Sequence, residues 1–246
     1  VFKQSVDRSS RSAIAGVTDF LKTIDQKEET PDQFLEGTRA FLISQKPPTW
    51  PQAEIGIAYR EGTLFHSFYF DFLPLTQSKL GIIAADPLEV GGHSLARASM
   101  LKGIIRTAAM QMKDPRKILM TAKTVLFEDK VTQRFNVAFL LLDDEKGTLS
   151  YISCNFGSLW HYAKHSQEPR VLTAENPPLG PDLEPFLELE ENWDPGSTLL
   201  FSSFHIRKRT LLNEHLALSM QPLAEIAIEM TPPFDQIGVL LAIKRT

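Results

Sequence analysis

The sequence predicts an α+β domain built in layers, and three observations predict it. Residues 66–91 (HSFYFDFLPLTQSKLGIIAADPLEVG) read as two apolar strands joined by a short turn. Two long helical patterns follow at once. Strand-sized apolar runs then return, and the chain ends on one of them.

The elements follow in order. Residues 9–24 carry an apolar face of Ile14, Val17, Phe20, Leu21 and Ile24, which predicts a helix. Thr30 caps a second helix with Pro31 at its first position, and Phe34, Leu35, Thr38, Phe41 and Leu42 form its stripe. Pro47, Pro48 and Pro51 break the chain, so residues 1–50 read either as two helices packed on the domain or as a helical linker or regulatory segment, and residues 51–246 as the main domain. Residues 53–59 alternate as a strand, and the hairpin of residues 65–75 and 79–86 follows. Residues 94–112 and 115–127 repeat apolar side chains at helical spacing. Residues 135–142, 148–153, 159–163 and 198–202 read as strands, with Gly147 free to take positive φ in the turn after Asp143. Acidic residues crowd 182–194 and read as solvated surface. Helical patterns near 209–220 and 223–229 precede a last strand at 237–243.

Composition narrows the class. The chain has 246 residues, 43% hydrophobic and 23% charged, enough for a sizeable core. The net charge is −4 and no basic stripe marks a nucleic-acid surface. No apolar run is long enough to span a bilayer. Cys154 is the single cysteine, which fits a reducing, cytoplasmic setting and a core position. A start at Val1 rather than Met is what a piece of a longer protein would show.

The residue that carries most chemical promise is Asp86. A carboxylate at the exit of a buried strand, beside the glycine pair Gly91–Gly92, suits a hard cation such as Mg²⁺ or Mn²⁺. The competing reading is a helix-capping or turn aspartate. His161 and His165 have i, i+4 spacing, but their segment reads as a strand, where both would not face one ion, so they read as surface histidines. His93 sits at a helix start and reads as solvated or capping. His205 with Arg207, Lys208 and Arg209 forms a basic cluster that suits an acidic or phosphorylated partner, or a solvated loop.

The order of motifs resembles the metal-dependent PPM-type serine/threonine phosphatases, in their SpoIIE/RsbU branch. Residues 66–75 (HSFYFDFLPL) match the pattern GGDFYDFFPL, and residues 80–91 (LGIIAADPLEVG) match LGLVIGDVSGxG without a gap. Further on, CNFGS (154–158) stands where the family has ANAGH, PLG (178–180) matches directly, and GSTLLFSSFH (196–205) stands for GDxLLLYTDG. DQIGVLLAIKR (235–245) stands for DDITLLVLR. The resemblance runs from about residue 53 to the C-terminus.

It implies a four-layer α-β-β-α sandwich preceded by the N-terminal helical segment. It implies two Mn²⁺ or Mg²⁺ ions between the sheets, activating a water that attacks a phosphoserine or phosphothreonine. Of four family aspartates the chain keeps Asp86 and Asp235 as candidate residual metal ligands, and Phe68 and Phe204 replace the other two. Phenylalanine does not ligate. The two rings are expected to pack together as a plug, leaving a degenerate metal site that holds one weak cation or none. His66 and Ser67 replace the family's glycines as steric substitutions.

The resemblance thus implies a pseudophosphatase binding or regulatory module of bacterial sigma-factor partner switching. Its expected partner is a phosphoprotein such as an anti-anti-sigma factor, with a homodimer through the N-terminal helices and no nucleic acid. The alternative is an active Mg/Mn-dependent phosphatase acting on that phosphoprotein, with Asp71 or Glu89 recruited as ligands. A third reading is a structural dimer that relays a signal through its helices.

Overall fold

The computed structural model describes residues 37, 41–44, 46–60, 67–88, 92–128, 134–164, 166, 168–182, 185–204, 206, 214–231 and 238–246. The chain divides into compact units Val1–Arg39 and Ala40–Thr246. In the first, Gly37 is helical, and the expected helix at 9–24 lies outside the described residues. The second unit carries everything that follows.

Eleven strands are described: β1 (Ala53–Arg60), β2 (Tyr69–Pro74), β3 (Lys79–Pro87), β4 (Phe135–Asp143), β5 (Thr148–Cys154), β6 (Ser158–Tyr162), β7 (Arg170–Leu172), β8 (Glu175–Asn176), β9 (Leu189–Asn192), β10 (Thr198–Ser202) and β11 (Gly238–Arg245). Three helices are described with them: α1 (Gly92–Gln111), α2 (Pro115–Glu128) and α3 (Met220–Glu229). One sheet runs β2-β3-β4-β5-β8, with β9 added to β5; the other runs β1-β11-β10-β6-β7.

Side chains of successive strand residues point to opposite faces, and the sequence uses this to build three apolar layers. On the first sheet Phe70, Phe72, Leu80, Ile82, Leu140 and Tyr151 face the second sheet, where Ile57, Leu199, Phe201, Val239 and Leu241 meet them. The alternate residues Tyr69, Leu73, Ile83, Ala85, Phe139 and Ile152 face outward onto Leu101 and Ile105 of α1 and Ile118, Leu119 and Leu126 of α2. The outer face of the second sheet, with Ala58, Leu200 and Leu240, is covered by Leu223, Ala224, Ala227 and Ile228 of α3. The layers are therefore α-β-β-α, as expected.

Close approach fixes the α3 layer. A Cβ on Gly56 would lie 2.0 Å from the Met220 carbonyl oxygen, so only glycine admits the helix this near to β1. The Glu54 carboxylate accepts from the Met220 amide (2.8 Å), and the Gln221 side chain bonds both Ile57 N (3.0 Å) and Ile57 O (3.0 Å). The first amide of the helix is thus served from the strand rather than from a cap of its own.

One expectation changes here. The acidic run is not simply solvated: Leu189–Asn192 is a strand paired antiparallel to β5, and Trp193 after it is fully buried, stacked on Trp50 at 6.0 Å. Asp143 and Asp144 are structural: Asp143 is buried and pairs with Lys79 (2.9 Å), while Asp144 holds Arg245 (2.8 Å). Gly147 does adopt positive φ, at 67°.

Candidate functional site at the end of the sandwich

The site is built from strand register. Asp86 lies at the end of β3, opposite Asn136 of β4, and the next pair outward joins Val137 with Cys154 of β5. Opposed residues share a face, so Asp86 and Asn136 point between the sheets, on the side of Ile82, Ala84 and Ala138. Asn155, just past β5, donates its side-chain amide to the Asn136 side-chain oxygen (3.0 Å). Phe68 precedes β2, whose first residue Tyr69 pairs with Ala85, and it joins the inter-sheet core. One end of the first sheet therefore presents Phe68, Asp86, Asn136 and Asn155 toward the second.

Asp86 is 5% exposed and Phe68 3% exposed. The Phe68 ring stacks on Phe156, with centroids 6.1 Å apart and planes 27° apart. The loop that supplies Phe156 needs two left-handed residues, Asn155 (φ 52°) and Gly157 (φ 66°). A Cβ on Gly157 would sit 2.2 Å from the Ser202 carbonyl oxygen, so the loop is pressed against the end of β10. Beyond β10, Ser203 donates its amide to Val239 O (3.0 Å) and accepts from Val239 N through its hydroxyl (3.0 Å). Ser67 is buried and shares a 2.7 Å hydrogen bond with Ser94, tying the segment before β2 to the first turn of α1.

Phe204 lies elsewhere. It follows β10 with the outward parity of Leu200 and packs, half-buried, on the cluster between the second sheet and α3. The expected packing of Phe68 on Phe204 gives way to Phe68 on Phe156, because alternation along β10 turns residue 204 toward α3. Asp235, Glu89, His66, His165, His205 and Arg207–Arg209 lie outside the described residues.

Asp71 is not available as a ligand beside Asp86. It pairs with Ile83, which faces α1, so the two carboxylates lie on opposite faces of one sheet. Asp71 is fully buried and fully engaged. Arg106 of α1 grips both its oxygens (Nε to Oδ2 2.6 Å, Nη2 to Oδ1 2.8 Å), Ser44 donates to Oδ1 (2.6 Å), and Tyr69 donates to Oδ2 (3.2 Å). Burial and the neighbouring Asp71 carboxylate push the Tyr69 phenol far above its ordinary pKa, so it remains a donor. Residues 41–44 enter this network directly. Ile43 bridges to Phe70, Ser44 N donates to Phe70 O (2.9 Å), Tyr59 OH donates to Ser44 O, and Lys102 donates to Phe41 O while lying 4.2 Å from the Phe41 ring centroid.

Other candidates resolve plainly. Cys154 is buried against the helices, and burial lifts its thiol to about 12, so it is a core residue. His161 is not a surface histidine. It is buried on β6, paired in register with Leu199 and Arg170, and burial lowers its pKa. His93 is exposed in the first turn of α1.

A hard dication needs about six oxygen ligands and anionic charge among them. At this end the described residues offer one carboxylate, two side-chain amides and a phenyl ring. Among the described residues no three His, Cys, Asp or Glu side chains gather as a ligand set. The donors described do not fit a two-metal centre.

Comparison with known proteins places this geometry. The fold is that of the PPM phosphatases. The RsbU and RsbW domains of Rv1364c from Mycobacterium tuberculosis superpose with a TM-score of 0.70 at 18% identity, over 80% of this chain and 62% of that one. The PP2C domain and regulatory fragment of SpoIIE from Bacillus subtilis gives 0.64 at 12% identity, over 78% of this chain and 61% of that one. RsbX in complex with magnesium gives 0.65 at 13%, over 83% and 100%. The chain thus spans about three-fifths of the first two structures' lengths. The family model for Stage II sporulation protein E matches residues 76–203, just over half of the chain, and the chain belongs to that family. No curated protein matched it. No helix among the described residues is long and apolar enough to cross a membrane.

Proposed function

We propose that this SpoIIE/RsbU-like domain is a pseudophosphatase: a binding and regulatory module of sigma-factor partner switching that recognises a phosphorylated anti-anti-sigma-type protein without hydrolysing it. The observation that carries the reading is Phe68. Its ring is buried on the inter-sheet face beside Asp86, stacked on Phe156, at the position where the family pattern has a metal aspartate. An apolar ring there removes a ligand charge and fills volume a hydrated ion would need. The loss of the family aspartate at Phe204 supports the same reading. Asp86, with Asp235 by resemblance, retains the chemistry for a single weakly held Mn²⁺ or Mg²⁺. RsbX is solved with magnesium, and Rv1364c unites RsbU and RsbW domains, which motivates both the metal tested and the class of partner. In this reading the N-terminal segment is regulatory and the domain lies in the cytoplasm, beginning by Ala40 rather than at residue 51, because Leu42 and Ile43 are buried in the inter-sheet core and Ser44 holds Asp71.

The test incubates the full chain with a phosphoserine-bearing anti-anti-sigma-type protein and Mn²⁺, and follows both complex formation and phosphate release. The reading expects a complex that prefers the phosphorylated form and no phosphate above background. Metal-dependent release abolished by Asp86→Ala would establish the alternative, an active phosphatase with a reduced ligand set.

A further inference from the structure

We propose that Phe156 is the second half of the seal on the Asp86 end: it walls Asp86 off from an open cleft in the edge of the sandwich, and so denies a cation the water that Phe68 alone would leave it. This holds on the reading of the Asp86 end as a closed metal site, and it gives the closure a second residue.

Three observations carry it. First, Phe156 faces two ways. Its ring stacks on Phe68 between the sheets, with centroids 6.1 Å apart, within the ordinary range for an aromatic pair. Phe156 also lines a cleft of about 540 Å³, together with Asn155, Thr173, Ala174, Glu175 and Asn176, where β7 of the second sheet passes to β8 of the first. Thr173 and Glu175 are exposed there, whereas Phe156 is 7% exposed and Asp86 is buried. The order from solvent inward is therefore cleft, Phe156, Phe68 and Asp86.

Second, the wall is held shut by its backbone. Ser153 donates its hydroxyl to Phe156 O (2.8 Å) and accepts from Phe156 N (3.3 Å). Asn155 N donates to Asn176 O (2.9 Å), and the Asn176 side-chain amide lies 3.0 Å from the carbonyl oxygens of Ser153, Ala174 and Leu187. Among the described residues Asn155 is the one non-glycine with positive φ, a backbone that persists where its surroundings over-determine it. Gly157 leaves the loop no room to retreat, since a Cβ there would lie 2.2 Å from Ser202 O. The loop cannot withdraw the ring without moving β10 or Asn176.

Third, the ligand oxygens are too few without water. Mg²⁺ or Mn²⁺ takes about six oxygens and keeps waters among them. Asp86 supplies one carboxylate. The side-chain oxygen of Asn136, its register partner, already accepts from the Asn155 amide (3.0 Å). Most of the shell must then be water, and the way in from the cleft passes Phe156. Phe68 removes a ligand, and Phe156 removes water. CNFGS stands here for the resembled pattern ANAGH, so the position of Phe156 carries alanine in that pattern, which would leave the path open.

The experiment titrates Mn²⁺ into the full chain and reads the paramagnetic broadening of the Asp86 and Asn136 amide signals, which registers even weak binding at this end. Phe156→Ala should reach half-broadening at a Mn²⁺ concentration at least tenfold below that of the parent chain, and Asp86→Ala in the same background should remove the gain. Phe156→Leu keeps an apolar side chain in the wall and should titrate like the parent. A merely structural role would move both variants in step with their urea midpoints. If Phe156→Ala does not fold, Asn155→Gly decides: it keeps the left-handed backbone, removes only the bond to Asn136, and should lower the Mn²⁺ requirement at least threefold. An unchanged requirement in the folded variant, or an equal gain in Phe156→Leu, overturns the proposal. Tight Mn²⁺ binding by the parent chain would overturn it together with the reading of a closed site. Weak binding by the parent with no gain in Phe156→Ala would sink the role of Phe156 alone.

Discussion

Replacing Phe68 by alanine and by aspartate separates a packing role from a lost ligand position. Phe68 is 3% exposed and its ring lies between the sheets on Phe156. Truncating a buried phenylalanine to alanine costs about 3–5 kcal/mol from lost burial and the cavity left behind. Phe68→Asp carries that loss and a further one. The introduced carboxylate would lie about 5 Å from Asp86, a cross-strand neighbour distance. Two like charges at that separation repel by about 3 kcal/mol at an effective dielectric constant near 20. The total approaches the roughly 5–15 kcal/mol that holds a domain together. Urea melts at neutral pH should therefore rank the parent chain above Phe68→Ala, and Phe68→Asp lowest. The gap between the two variants should close once acid protonates the carboxylates, below about pH 4. A divalent ion offers a second remedy. Mn²⁺ at about a hundred times its dissociation constant would restore about 2.7 kcal/mol, and only to the variant with two facing carboxylates. If Phe68→Asp and Phe68→Ala melt together at neutral pH, or if Mn²⁺ raises the parent chain as much as Phe68→Asp, the placement of residue 68 beside Asp86 as a lost ligand position is wrong.

Other perturbations probe the frame around the site. Arg106→Ala would leave Asp71 buried with only its Ser44 and Tyr69 donors; because the Arg106 side chain is 54% exposed, the loss is about 2 kcal/mol, below that of a fully buried pair. The joint replacement Asp71→Leu with Arg106→Leu should recover most of it in the same urea melt. Gly56→Ala drives a methyl into the Met220 carbonyl and should cost about 2 kcal/mol or more, with loss of amide-exchange protection confined first to α3. For His161, burial and Arg170 lower the folded-state pKa, opposed by Glu191 and Asp194. The unfolded chain then takes up the proton more readily, so stability is complete above the ordinary value near 6.5 and declines as pH falls from there through the folded-state pKa. His161→Phe should flatten that decline in chemical melts between about pH 7 and pH 5.

The elements legible in the sequence are those whose own side chains report them. The β2–β3 hairpin, α1, α2, β4 and β11 are long, apolar and periodic, and the structure places each within a few residues of its expected bounds. Leu189–Asn192 was not legible as a strand, because an edge strand rich in glutamate is held by its backbone pairing to β5 rather than by an apolar face. The buried state of His161 depends on β6 lying inside the second sheet, between β10 and β7, which local pattern does not reveal. In the candidate site, alternation from Phe68 to Phe72 already sets Asp71 and Phe68 on opposite faces, so the unsuitability of Asp71 as a ligand was readable in principle. Its engagement by Arg106, 35 residues away, was not. Phe204 shows the converse: motif order identifies the position, but the packing of the ring follows from where α3 lies.

Calorimetric titration of Mn²⁺ into the parent chain and into Asp86→Ala tests the central claim most directly. A centre that has exchanged a ligand aspartate for the buried Phe68 ring predicts weak heat that fits one site or none, removed or unchanged by Asp86→Ala, and no two-site isotherm. Tight binding of two ions that Asp86→Ala abolishes would contradict the account and return the domain to the metal-dependent phosphatases in activity as well as in fold.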